Sequence, residues 1–281
     1  MTTTTSAPTT KSRTNTASMG TARISYEIRS YFRAPDSVFF TFLFPIIMLA
    51  LFSVAFSSAP DIQAGRNVSV DYATYYLPGL VATGILLSGT QSLGVDIAGE
   101  RSDGTLKRLG GTPLPVLSYF VGKIGMVLVT TVIQTALLLL IASLVFGVDL
   151  PTDGTLWARF AGIMVLGIAT SCVLGIAISA LPREGRRATA TIVPIVLVLQ
   201  FISGVYLPFT QLPDWLQNAA SVFPLRWMAS GMRSVFLPDA FAGAEPGGAW
   251  HLGIGTLVLV AWLVVGTVAC VLTFRWNRKD S

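Results

Sequence analysis

Apolar and polar positions fall along this chain in blocks. Uncharged runs of 19 or more residues recur from end to end, and about 20 apolar residues suffice to cross the hydrocarbon of a bilayer. The blocks predict six spans, at about 38–56, 75–96, 120–148, 156–181, 188–206 and 251–274, with Pro45 kinking the first. Between them lie a polar loop (Ser57 to Asp71), a charged hairpin (Asp96 to Lys123), a short turn (Asp149 to Thr155), a second charged hairpin (Pro182 to Arg187) and a long amphipathic connection (Leu207 to Trp250). Residues 1–20 are rich in Thr and Ser and read as a disordered tail, because they cannot bury enough surface to offset ordering entropy. Residues 276–281 form a short C-terminal tail.

Between the first tail and the first span the period changes. Ile24, Ile28, Tyr31 and Phe32 recur at helical spacing, while Arg23, Glu27, Arg29, Ser30 and Arg33 take the other side. That pattern predicts an amphipathic helix over Thr21 to Pro35, lying in the membrane interface with its charges at the headgroups. The fold class is therefore an all-α polytopic membrane protein whose membrane domain covers 21–275.

Composition agrees with the pattern. Charged residues make up 12% and hydrophobic ones 52%, with mean hydropathy +0.67, whereas a soluble domain carries about 25% charged residues. A net charge of +5 raises the question of nucleic acid, but no basic patch is interleaved with aromatics, and the sequence predicts no nucleic-acid partner. Cys172 and Cys270 lie in apolar runs and read as small buried apolar side chains. His251 has no carboxylate or thiolate close in sequence, so no metal site is expected.

Lysine and arginine positions set the expected orientation. With both termini cytoplasmic, fifteen of the nineteen cations fall inside, and only Arg66, Arg159, Arg226 and Arg233 fall outside. The chain thus reads as a multi-pass protein of the plasma (inner) membrane, with the Asp96–Lys123 hairpin in the cytoplasm.

No catalytic constellation is visible. The chain lacks the G-x-x-x-x-G-K-[ST] phosphate loop and is not expected to bind or hydrolyse ATP. Asp96 and Glu100 lie at the cytoplasmic end of the second span, where solvation explains them. The spans otherwise lack carboxylates, which disfavours an ion-coupled carrier. The hairpin is more informative. Asp103-Gly104-Thr105 is a turn followed by an N-cap, with Thr105 expected to cap a short helix carrying Leu106, Lys107, Arg108 and Leu109. Gly110-Gly111 ends it, and Pro113 and Pro115 stiffen the return. Such a helix suits docking into a groove on a soluble protein.

Glu100, Gly104, Thr105, Leu106, Leu109, Thr112-Pro113 and Gly122-Lys123 together resemble the signature of the ATP-binding-cassette type-2 exporter permeases, most closely the daunorubicin-resistance-like branch. Ser203-Gly204, Pro208, Leu212-Pro213, Trp215-Leu216, Pro224 and Arg233 resemble that family's segment between spans five and six. Arg101 and Lys107 stand where many relatives carry acidic residues. The resemblance implies a cytoplasmic coupling helix on the 99–118 hairpin, with Glu100, Arg101, Asp103, Gly104, Thr105, Leu106, Lys107 and Arg108 transmitting the stroke of a separate ATP-binding subunit. ATP and magnesium would sit on that subunit and no cofactor on this chain. It further implies a second permease copy or paralogue, and an extracellular re-entrant helical hairpin with Pro213, Trp215, Pro224 and Trp227 at the exit.

Within the spans, Thr83, Ser88, Gln91, Gln134 and Gln200 are candidate substrate-path residues, although interhelical hydrogen bonding is the commoner use of such groups. Gly167, Ser171, Gly175 and Ser179 form a small-residue ladder for close helix packing. Phe39, Phe40, Phe42 and Phe44 read as lipid- or dimer-facing surface, and Asn67-Val68-Ser69 as a glycosylation acceptor in an external loop. The expected function is the permease subunit of an ATP-driven exporter for a hydrophobic or amphiphilic compound such as a drug, antibiotic or lipid, in contact with membrane lipids. The alternatives are a non-transporting membrane scaffold or assembly factor, and an ion-coupled secondary carrier.

Overall fold

The computed structural model describes residues 16–64, 68–112, 115–182 and 184–273. Most of the two tails, and Arg66, Asn67, Pro113 and Arg183, lie outside the described residues.

The first helix, α1 (Thr16–Phe32), starts earlier than expected. It packs along α7 (Val116–Phe146), and Gly20, Ile24 and Glu27, on one helical face, meet it at Val121, Gly125 and Lys123. Two glycines of α7 permit the approach: a Cβ on Gly122 would run into the Arg23 side chain, and one on Gly125 would lie 2.7 Å from Ile24. The sequence placed Glu27 on the water-facing side, but it is 3% exposed.

After a turn at Arg33 the chain forms α2 (Pro35–Val38), a π-helical turn (Phe39–Leu43) and α3 (Phe44–Ala55). Pro45 has no N–H for the ladder, and the turn just before it widens to π, which is how the expected kink is accommodated. Phe42, expected on the lipid surface, is buried against Phe32, whereas Phe39 is exposed. The loop to the next span is not irregular throughout. It contains an antiparallel hairpin of β1 (Ile62–Ala64) and β2 (Val68–Val70), with Ala64 opposite Val68. Ala64 is buried against Leu237 and Phe241 in a small separate cluster.

The centre of the fold is one continuous apolar helix, Tyr72–Ser102. Asp71 caps it through Thr74 N at 3.2 Å, and it comprises α4 (Tyr72–Leu86), a second π-helical segment (Leu87–Ser92) and α5 (Leu93–Ser102). About it stand α7, α8 (Gly154–Ile178), α9 (Ala188–Ile202) and α12 (Leu252–Thr273). Burial reaches 78% along the central helix but only 17% along α12, so the former is core and the latter rim. The small-residue ladder of α8 faces the central helix of the same chain. A Cβ at Gly175 would collide with the Gly89 carbonyl, and Thr90 Oγ1 donates to Ser171 O at 3.0 Å.

Among the described residues, five helices are long and apolar enough to cross a membrane, and Thr41–Ala55 is a shorter apolar helix. This is an α-helical membrane protein with several passes, as the blocks predicted. The connection expected between the last two spans contains α10 (Asp214–Ser221) and α11 (Pro224–Phe236). Within this connection α11 is buried on nearly every side, inserted against α4, α8 and α12.

Candidate functional site

At the end of the molecule that carries the charged hairpin, α5 stops at Ser102 and a tight turn leads into α6 (Thr105–Gly110). Gly104 makes the turn possible: its φ is +79°, the left-handed region that β-carbon-bearing residues avoid. The cap differs from expectation. Thr105 is the first residue of the helix, and Asp103 supplies the capping oxygen, accepting from Thr105 N at 2.9 Å. That bond holds the Asp103 carboxyl below its ordinary range. Leu106 is buried and pins the helix to the body, Leu109 is half-buried, and Lys107 and Arg108 are exposed. Arg108 also donates to the Asp103 carbonyl at 3.1 Å.

The two preceding residues do something else. Glu100 and Arg101 face inward and tie α5 to three other helices. Arg101 Nη1 donates to Ser179 O at 2.7 Å and Nη2 to Ser179 Oγ at 3.2 Å, satisfying the carbonyl end of α8. Glu100 Oε2 accepts from Tyr119 OH at 2.7 Å, and its Oε1 accepts from Lys123 Nζ at 2.8 Å, both on α7. The same ammonium lies 2.5 Å from Asp96 Oδ2 and 2.8 Å from Glu27 Oε2. Arg23 completes the group, 2.5 Å from Glu27 Oε1 and 3.9 Å from Glu100 Oε1.

This cluster adds a partner to the reading of Asp96 and Glu100 as solvated ends of a span: both pair with Lys123, Asp96 staying 43% exposed and Glu100 16%. Lys123 is 1% exposed and is held by three carboxylates from two helices. Glu27, Asp96 and Glu100 offer oxygens within 4.8 Å of one another, close enough for a metal, but the Lys123 ammonium already occupies the position between them. Residue spacing carried part of the signal. Asp96 and Glu100 are one turn apart, as are Tyr119 and Lys123, and Glu27 shares a face with Ile24 and Tyr31.

The candidate substrate-path residues are not brought together. Thr83, Ser88 and Gln134 are buried at helix contacts, with the Gln134 amide lying against Gly84 of α4. Gln200 Oε1 accepts from Tyr206 OH at 2.5 Å. Gln91 alone of the five lines a cavity of about 510 Å³.

At the opposite end, Trp215 is exposed, Pro213 directly precedes α10, Pro224 starts α11, and Trp227 Nε1 donates to Ser221 O at 2.7 Å, closing the α10–α11 hairpin. Arg226 and Arg233 had been counted as external charges. Both are buried and share the Glu245 carboxylate at 2.5 and 2.6 Å, and Arg233 also donates to the Gly204 carbonyl. Burial alone would raise the Glu245 pKa, but the two guanidiniums outweigh it and hold the carboxyl below its ordinary value.

A bundle of apolar helices with a short capped helix at its charged end defines a multi-pass integral membrane protein. Residues 21–237 match the family model described as ABC-2 type transporter, and the chain belongs to that family. It is 25% identical over 174 residues to a protein of Escherichia coli strain K12 named probable multidrug ABC transporter permease YbhR, covering 62% of this chain and 46% of that one. It is 26% identical over 219 residues to ABC transporter G family member 20 of Dictyostelium discoideum, covering 76% and 28%. It is 21% identical over 197 residues to the inner membrane transport permease YadH of E. coli K12, covering 69% and 74%. The chain thus spans less than half the length of the first two of these relatives.

Proposed function

We propose that this chain is the membrane-spanning subunit of an ATP-driven exporter, moving a hydrophobic or amphiphilic compound and energised by a separate subunit that docks on the 99–118 hairpin. The observation that carries this reading is the mechanical linkage of α6. It is rigidly capped, presents Lys107 and Arg108 outward, and joins through Glu100 and Arg101 to α7, α1 and α8. A push on α6 therefore moves three helices rather than one loop. ATP and magnesium belong to the partner, and the stroke reaches this chain as displacement.

In this reading Thr41–Ala55 is the first of six spans, the termini and α6 are cytoplasmic, and the membrane is the plasma (inner) membrane. The α10–α11 hairpin is the extracellular re-entrant element, and two permease copies or paralogues meet in lipid. The hairpin motif supports the daunorubicin-resistance-like branch. The test is purification of the tagged chain from its native membrane in mild detergent. A stoichiometric soluble protein bearing a phosphate loop, lost when Gly104 and Thr105 are replaced by bulky residues, supports the proposal. Recovery of the chain alone under several mild detergents sinks it and moves the weight to a scaffold.

One observation favours a second reading. The carboxylates gathered at Lys123 beside a cavity form a partly buried acidic cluster, and ion-coupled carriers use such groups. Collapse of the proton gradient by an ionophore separates the two, stopping a carrier and leaving an ATP-driven exporter running.

A further inference from the structure

The cavity of about 510 Å³ lies beside the charge cluster, among α1, α5, α7, α9 and the two π-helical segments. Its size falls in the range of ligand pockets, roughly 300–1,000 Å³. Thr41 from the first π segment and Gln91 from the second form part of its wall. Insertions of this kind open the helical ladder and recur at functional sites, and here both wide turns border one space. The wall is of two kinds. Met126 and Val193 stand for an apolar part, while Glu27 and Asp96 are its charged residues; no lysine or arginine lines it among the described residues.

The sign of the field follows from counting charges. Three carboxylates (Glu27, Asp96, Glu100) meet two cations (Lys123, Arg23), so acidic groups outnumber basic ones in the cluster by one. Lys123 is sealed in at 1% exposure, whereas the Asp96 side chain is 43% exposed and lines the cavity. Asp96 is thus the more exposed of the two carboxylates that line the cavity, with one side already paired to Lys123. Tyr31 adds an aromatic ring to the same wall, a surface that attracts cations.

We propose that this cavity binds an amphiphile carrying a positive charge, with the cation at Asp96 and the apolar body against Met126 and Val193. The inference deepens the exporter reading by naming the substrate's charge, and it rests on that reading only for the word substrate. Two sources supply this chemistry: a lipid with an ammonium headgroup, or a soluble lipophilic cation.

The experiment uses the full chain in dodecyl maltoside, with tetraphenylphosphonium as probe and tetraphenylborate as its counterpart of similar shape and opposite charge. Equilibrium dialysis should show saturable tetraphenylphosphonium binding near one per chain, and none for tetraphenylborate above micelle partition. Asp96→Asn should weaken the cation about tenfold or more. Since Asp96 also holds Lys123, Gln91→Lys is the second variant: it sets an ammonium in the wall without touching the cluster, and should abolish cation binding. Equal binding of the two probes, or unchanged affinity in Gln91→Lys, overturns the proposal. Competition by dihexanoylphosphatidylcholine supports it with a lipid as the source, and lack of competition supports it with a soluble cation. Partner recovery is scored on the same preparations. Loss of probe binding with the ATPase retained refutes this inference alone, and probe binding without any ATPase refutes only the exporter reading.

Discussion

Lys123 Nζ lies 2.8 Å from Glu27 Oε2, joining two residues 96 positions apart and clamping α1 onto α7. An ammonium this deeply buried costs several kcal/mol to desolvate, and the surrounding carboxylates offset that cost only while all are in place. The helix expected to float at the interface is therefore part of the bundle, and its position is tied to Glu100 just ahead of α6.

Removing the cation should be far worse than removing one anion. Lys123→Met leaves three carboxylates crowded in a buried site and should cost about 3–5 kcal/mol. Glu27→Gln relieves part of the negative excess and should cost clearly less. Thermal unfolding of the purified variants in detergent compares them, and equal losses would show that the cluster does not hold the fold.

Glu100 and Arg101 should behave differently from Lys107 and Arg108, although all four lie in the hairpin. Arg101→Ala frees α5 from the end of α8, so ATPase activity of the assembled complex should persist while transport falls. Charge reversal at the exposed Lys107 and Arg108 should instead lower recovery of the partner. Co-purification and coupled transport in vesicles measure the two effects. Loss of the partner in Arg101→Ala with retention in the charge-reversed variant would reverse the assignment.

Close packing between α8 and the second π segment should tolerate no side chain at Gly175. Gly175→Val must push against the Gly89 carbonyl, and overpacking of this sort costs about 1–3 kcal/mol. Gly162, on the same helix with open space beyond it, is the control, and Gly162→Ala should be close to neutral. Yield and melting temperature report both.

The Glu245 latch predicts a pH dependence. The folded carboxyl titrates below its ordinary value of 4.5, because Arg226 and Arg233 outweigh burial, with Tyr75 also close by. A lowered folded pKa contributes stability that is complete above the ordinary value and lost as pH falls through the folded one. Melting temperature should therefore drop below about pH 4.5 in the native chain, and Glu245→Gln should lose that component of the slope. An unchanged slope in the variant would assign the acid sensitivity elsewhere.

Much of this was readable in one dimension, for a definite reason. Lipid imposes a length and an absence of charge on each crossing segment, and those are properties of consecutive residues. The apolar blocks, the turn at Gly104 and the breaks after α6 and α7 followed from that local grammar. Some positions had both local and distant uses, and there the local reading failed. Glu27 on an amphipathic pattern and Asp96 at a span end each look solvated, because nothing nearby in sequence shows the partner. Arg226 and Arg233 look unpaired in sequence for the same reason, since Glu245 lies beyond the end of their helix.

What the chain determined by itself was where it enters lipid and where the charged turn into α6 leaves it, because burial in hydrocarbon is paid by each segment separately. Which charges neutralise one another was decided only in three dimensions. Coulombic pairing depends on distances of a few ångströms between helices, and those distances come from packing. Lys123 meets Glu27 because Gly122 and Gly125 let α1 approach, and the cavity has an acidic wall because Glu27 and Asp96 line it while Lys123 sits behind them at 1% exposure.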